Sequence, residues 1–165
     1  MHGVETSSMG RWFDGVAAIL GIRQAITYEG QAAMELETRA AAALVEHRQK
    51  ARGDDAPGHG ERSLDLADVL NELVLGLRSG RRVESLALVF HLRVARWISH
   101  VAAWTQREWG VARVGLTGGV FQNVLLANLV ADACTARGFQ VLMHRAVPCN
   151  DGGLALGQAW LSRHP

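Results

Sequence analysis

The segment ARVGLTGGVFQN, residues 112–123, decides how this chain is read. An apolar run over 112–117 is halted by Gly118 and Gly119, the pattern of a short buried strand ending in a turn. A helical pattern follows over 121–137, with Leu125, Leu126, Leu129, Val130 and Ala133 on its inward side. Gly138 stands where a helix C-cap belongs. Residues 139–143, FQVLM, read as a second short strand, and 152–161 as a final helix. The last third is therefore strand, Gly-Gly turn, helix, strand, loop, helix: a βαβ unit with one helix appended.

Upstream the texture is helical. Phe13, Val16, Ala17 and Leu20 recur at i, i+3, i+4, i+7, which predicts an amphipathic helix over 8–20, with Ser7 or Ser8 as N-cap and Gly21 as the stop. Residues 22–28 alternate loosely and read as a short extended segment. Residues 30–50 are rich in Ala, Glu, Leu, Arg and Gln, all good helix formers, with Ala33, Leu36, Ala40 and Leu44 as an apolar stripe. Residues 51–62, ARGDDAPGHGER, collect Gly, Pro and Asp and read as a surface loop. Leu66, Val69, Leu70, Leu73 and Leu77 mark a further helix ended by Ser79 and Gly80. Leu86, Phe90, Val94, Trp97, Val101 and Trp104 then follow one face of a long helix up to Gly110. The predicted fold is α/β and helix-rich, a single domain over 1–165 with a small sheet.

Composition removes several classes of function. At 165 residues the chain is long enough for a real core, and 48% hydrophobic against 20% charged residues is ordinary for a globular protein. A net charge of +1 gives no reason to expect a nucleic-acid surface. Lys50 is the only lysine, and no G-x-x-x-x-G-K-[ST] run occurs, so a P-loop is excluded. Apolar runs such as 16–20 fall far short of the roughly 20 residues needed to span a bilayer. Residues 1–10 lack a basic-then-apolar leader pattern, and Cys134 and Cys149 form neither a C-x-x-C pair nor a disulfide framework. A reducing, cytoplasmic setting is expected.

Two segments can carry chemistry. In LTGGVFQN, residues 116–123, a strand delivers Gly118 and Gly119 onto the start of a helix. Backbone without Cβ atoms approaches a ligand closely, and a helix start offers N–H groups and a positive dipole end to phosphate. Asn123 is placed to hydrogen-bond a base, a sugar or a phosphate; a tight turn without a ligand is the alternative. In PCNDGG, residues 148–153, one carboxylate, Asp151, stands at the mouth of the next helix. Asp is a hard oxygen ligand for a divalent cation, and equally a common N-cap. A βαβ unit puts both segments at the carboxyl ends of adjacent strands, where α/β folds hold their ligands. Asp14 lies on the outer side of its helix and can accept from a ribose hydroxyl, or simply be solvated. Glu29 precedes a helix start, where a carboxylate is favoured by the dipole alone. The seven histidines form no H-x-x-x-H pair, and Cys149 is read without a partnering histidine, which favours a structural cysteine. Trp97, Trp104 and Trp109 sit at helical spacing and are expected to pack.

Taken together, TSSMGRWFDGVAAILG (6–21), YEGQAAMELE (28–37), LTGGVFQN and VPCNDGGLALGQA (147–159) resemble, in order and spacing, the HypF-type carbamoyltransferases. The likeness runs from about Thr6 to Trp160 and covers the C-terminal lobe of that family's last catalytic domain. That domain is similar to the threonylcarbamoyl-transferring tRNA-modification proteins and belongs to the actin-like/sugar-kinase ATPase superfamily. The resemblance implies a chemistry. Such proteins make carbamoyl-adenylate from carbamoyl phosphate and ATP and pass the carbamoyl group to the C-terminal cysteine of HypE, on the way to a cyanide ligand of [NiFe]-hydrogenase iron.

By the same resemblance, Gly118, Gly119 and Asn123 match the nucleotide loop, and Asp14 matches the acidic residue that meets the ribose. Gly30 and Gln31 match an adjoining turn, with Gln31 standing where relatives carry a second glycine. Asp151 matches this lobe's one ligand to a divalent metal. Thr117 replaces a usual serine and Cys149 a common proline. The family's other metal ligands, a histidine pair and another aspartate, have no counterpart here. The chain is then expected to be a fragment or a subunit that works with the remaining HypF-type domains and a HypE-type acceptor. Alone it is expected to bind ATP weakly and catalyse nothing, to expose an apolar face, and to be able to form a homodimer through it. An antibiotic-type O-carbamoyltransferase lobe and a non-catalytic interaction module keeping the fold are the alternatives.

Overall fold

The computed structural model describes residues 8–50 and 64–163, the side chains of 46–50 aside. Six helices and two strands follow in chain order: α1 Met9–Ile19, α2 Gln31–Lys50, α3 Leu66–Arg78, α4 Val83–Trp109, β1 Arg113–Leu116, α5 Val124–Thr135, β2 Gln140–Met143 and α6 Leu154–Arg163. Two 3-10 turns, Gly119–Gln122 and Asp151–Gly153, sit immediately before α5 and α6. The helix-rich α/β architecture with a small sheet is thus the observed one.

The helices gather around α4. Phe13 and Val16 of α1, Leu36 and Ala40 of α2, Val69 and Leu73 of α3, and Leu126 and Val130 of α5 are all buried against Leu86, Phe90 and Val94 of α4 in one apolar cluster. Phe13 and Phe90 meet edge to face, ring centroids 4.9 Å apart. Burying each of the Val, Leu and Phe side chains contributes on the order of 1.5–3 kcal/mol, which is what holds five amphipathic elements together. The core thins along α4: Trp97, Val101 and Trp104 are only half-buried, and Trp109 is 65% exposed. An open apolar groove of about 250 Å³ remains between this half of α4, including Ile98 and Val101, and Val114 and Phe139 beside the sheet.

β1 and β2 pair in parallel, with Val114 opposite Val141 and Leu116 opposite Met143. The crossover through α5 makes this the predicted βαβ unit. Gly138, at φ 85°, turns the chain out of α5 toward β2.

Three predicted boundaries change. Residues 22–28 form a run of bends, not an extended segment, because the network of Thr27, Gln31 and Glu35 curls the chain back onto α2. The helix predicted over 121–137 begins at Val124, since Gly119–Gln122 winds tighter and Asn123 takes the cap position. The last helix likewise begins at Leu154, after its own 3-10 turn. The predicted surface loop at 51–62 lies outside the described residues.

α6 buries none of its residues, and Leu154, Leu156, Trp160 and Leu161 are all more than half exposed. Leu142 and Met143 of β2 are exposed too. No helix among the described residues is long and apolar enough to cross a membrane.

Candidate functional site

The carboxyl ends of β1 and β2 carry the two segments singled out from sequence, and the backbone laces them together. The Gly118 N–H donates to the Cys149 carbonyl at 2.6 Å. The Thr117 hydroxyl reaches the same carbonyl at 3.5 Å, and His144, one residue past β2, approaches that hydroxyl through Nε2 at 3.1 Å. Gly118 has φ 102° and ψ 157°, a region essentially restricted to glycine. The side-chain-free residue is what lets the chain leave β1, turn, and present its N–H to the neighbouring loop.

Gly119 differs from Gly118. Its φ is not in the left-handed region, and a Cβ placed there meets no atom within 4 Å. Nothing among the described residues requires glycine at 119, and the space before it is open. The first N–H groups of a helical turn lack partners within the turn, and here they belong to Gly119 and Val120.

The start of α5 is occupied. Asn123 Oδ1 accepts from the Leu126 N–H at 2.7 Å, and Glu37 of α2 accepts from the Leu125 N–H at 2.9 Å. The expectation that the helix start itself offers open N–H groups to phosphate is therefore corrected. A carboxylate already neutralises that dipole end, and the open donors lie in the 3-10 turn before it. The Asn123 amide is committed on its other side as well, with Nδ2 3.0 Å from His91 Nε2.

Asp151 begins the second 3-10 turn and is exposed. The N-cap there is Asn150, whose Oδ1 accepts from the Gly152 N–H at 3.1 Å. Among the described residues the Asp151 carboxylate makes no hydrogen bond or ion pair, so capping does not account for it. Gly153 closes this loop: a Cβ on it would stand 2.7 Å from the Pro148 carbonyl oxygen. No group of three His, Cys, Asp or Glu side chains among the described residues is arranged to hold a metal ion.

Asp14 is exposed on α1, the helix that packs against the Gly119–Gln122 turn. Gly30, at φ 78°, leads into α2. Gln31 is 8% exposed and its amide is used within the chain: Oε1 accepts from the Thr27 N–H and hydroxyl, and Nε2 donates to Glu35. Arg23 completes the knot with two-nitrogen contact to Glu35, holding that carboxyl below the usual carboxylate range. Gln31 precedes Glu37 by six residues, roughly 9 Å along a helix axis. The structure thus brings Gly118, Gly119 and the Asp151 loop to one edge, sets α1 beside them, and places Gln31 in a separate cluster.

Sequence reasoning missed Glu37, His91 and His144. The only signal for His91 was its place after Phe90 inside an otherwise apolar helical face. Burial pushes its imidazole down to about 4, opposed by its hydrogen bond to the Ala87 carbonyl.

A parallel βαβ unit, backed by four helices, joins a Gly-Gly turn to a lone carboxylate at its carboxyl edge, the place where α/β folds hold their ligands. The family model described as "Carbamoyltransferase, Kae1-like Domain, second subdomain" matches residues 1–158. The chain belongs to the HypF carbamoyltransferase family. It is 36% identical over 159 residues to a "Carbamoyltransferase HypF homolog" of Cupriavidus necator, covering 95% of this chain and 40% of that protein. It is 38% identical over 159 residues to the HypF carbamoyltransferase of Rhizobium leguminosarum bv. viciae, covering 96% of this chain and 20% of that one. A crystal structure of full-length HypF in the phosphate- and nucleotide-bound form matches with a TM-score of 0.79 at 33% identity, and the T. kodakarensis HypF structure with 0.74 at 27%. Each covers 94% of this chain and 20% of the solved one, so the chain spans about a fifth of their length.

Proposed function

We propose that this chain is the nucleotide-binding lobe of an ATP-dependent carbamoyltransferase. In this reading the whole enzyme makes carbamoyl-adenylate from carbamoyl phosphate and ATP, and passes the carbamoyl group to the C-terminal cysteine of a HypE-type acceptor in [NiFe]-hydrogenase maturation. Transfer forms the sulfur–carbon bond as the bond to AMP breaks. The setting is cytoplasmic.

The observation that carries the reading is the Gly118–Cys149 hydrogen bond. It ties the turn that can cradle phosphate to the loop that presents Asp151. Gly119 and Val120 supply backbone donors into open space, which suits a phosphate or sugar oxygen. Asp14 on α1 is offered to the ribose. Gly30 and Gln31 shape the neighbouring turn from within, and Asn123 holds the end of the Gly-rich turn while its second lone pair and second amide hydrogen stay available to the ligand.

Asp151 fits a divalent metal as one hard oxygen ligand, since Asn150 does the capping. A bound cation would supply charge neutralisation at the nucleotide's phosphates. A metal site needs several ligands in fixed geometry, so the remaining HypF-type domains are proposed to bring the rest. The exposed apolar side of α6 and β2 is the surface those domains are proposed to cover, with a homodimer as the substitute in their absence.

ATP titration of the chain, with and without Mg²⁺, and an assay of carbamoyl-phosphate-dependent ATP cleavage test the reading. Weak nucleotide binding without turnover is expected; robust turnover by the chain alone, or no binding of any nucleotide, would overturn it.

A further inference from the structure

His91 is fully buried on α4 and makes two hydrogen bonds, each with its direction fixed by the partner. Its Nδ1 lies 2.8 Å from the Ala87 carbonyl oxygen, which only accepts, so Nδ1 carries the hydrogen. At the far end, Asn123 Oδ1 accepts from the Leu126 N–H at 2.7 Å, which only donates, so the amide is oriented with Nδ2 toward the ring. His91 Nε2, 3.0 Å away, accepts from it. One continuous relay therefore runs from the Leu126 N–H through Asn123 and His91 to the Ala87 carbonyl. Both ends are backbone groups of fixed polarity, so the histidine tautomer is forced. The edges of Phe13 and Phe90 hold the ring, with centroids 5.1 and 6.1 Å from it.

Asn123 is also the last residue of the Gly-rich turn, and its own N–H bonds back to the Val120 carbonyl. The relay thus fastens the downstream end of Gly119–Gln122 to α4, while the Gly118–Cys149 bond fastens the upstream end. We propose that His91 is a positioning residue: through Asn123 it fixes the turn against α4 and so sets nucleotide affinity without touching the nucleotide. The effect on affinity rests on the nucleotide-binding reading above; the anchoring of the turn does not.

The test compares His91→Phe, which keeps a flat ring and loses the acceptor, with His91→Gln, whose amide oxygen can stand near the Nε2 position. In the 165-residue chain, His91→Phe is expected to weaken ATP binding about tenfold and to speed amide exchange across 119–123, with His91→Gln restoring both. Nitrogen-15 spectra of the histidines should show wild-type His91 as the Nδ1–H tautomer. Asn123→Ser, which still caps α5 but gives Nε2 no amide donor, should keep that tautomer through the Ala87 carbonyl and speed exchange across 119–123 as His91→Phe does. Equal affinities and equal exchange in His91→Phe and wild type, or an Nε2–H tautomer in wild type, would overturn the proposal. If wild type binds no ATP, the nucleotide reading fails, and exchange across 119–123 still decides whether His91 anchors the turn. Should His91→Phe not fold, Asn123→Ser alone carries the same exchange readout, and wild-type exchange across 119–123 in that variant would overturn the proposal.

Discussion

The Gly118 N–H lies 2.6 Å from the Cys149 carbonyl, across 31 residues of chain, and it makes one surface of two loops. Two adjacent glycines then separate by role. Gly118→Ala must hold an L residue at φ 102° and should cost about 1–3 kcal/mol of stability. Gly119→Ala meets no atom within 4 Å and should leave the melting temperature nearly unchanged while weakening ATP binding about tenfold or more. Thermal melts beside ATP titrations check both; a Gly119→Ala chain with unaltered affinity would remove the turn from the site.

Asn150 and Asp151 should likewise separate. Asn150→Ala removes the cap on Gly152 and should destabilise the loop by about 1 kcal/mol. Asp151→Ala should leave stability alone and abolish the Mg²⁺ dependence of nucleotide binding. Denaturant melts and titrations with and without the cation measure the two effects; a stability loss in Asp151→Ala equal to that in Asn150→Ala would return Asp151 to a structural part.

Gly153→Ala probes how tightly that loop is closed. The added methyl would fall 2.7 Å from the Pro148 carbonyl oxygen, a backbone atom, so the loop itself must shift. Loss of the metal-dependent part of binding is expected with α1 to α5 still folded, read by amide exchange at Gly152 and Gly153 against exchange in α4.

Stability should depend on pH through His91. Burial lowers its folded pKa from 6.5 to about 4, so the unfolded chain takes up the proton first. The contribution is complete above pH 6.5 and is lost as the pH falls toward about 4, by about 3 kcal/mol at most. Glu35, held low chiefly by its hydrogen bond from Arg23, adds a loss of the same sign at lower pH. Urea unfolding at pH 7 and pH 4.5 should show the slope in wild type and a flatter one in His91→Gln; identical slopes would contradict it.

Glu37→Ala removes the carboxylate from the Leu125 N–H and should cost about 0.5–2 kcal/mol by loss of a cap. Melts of this variant against Glu37→Gln, which keeps an acceptor, test whether the bond or the packing of α2 on α5 is responsible.

The sequence by itself determined the βαβ unit, the glycine punctuation and the two loops at the carboxyl edge of the sheet. Those rest on local rules: Gly118-Gly119 stops a strand, Gly138 stops a helix, and apolar spacing separates period 2 from period 3.6. Only tertiary structure decided what each polar group does. Asn123 reads only as a ligand contact, and the fold adds that His91, 32 residues away, and the Leu126 N–H also use its amide. The start of α5 reads as an open phosphate site until Glu37, 88 residues upstream, is found on it. Gln31 reads only as part of a turn, and the fold shows its amide closing on Thr27 and Glu35. A hydrogen bond is satisfied by whichever partner folding brings within about 3 Å, and that partner has no fixed place in sequence.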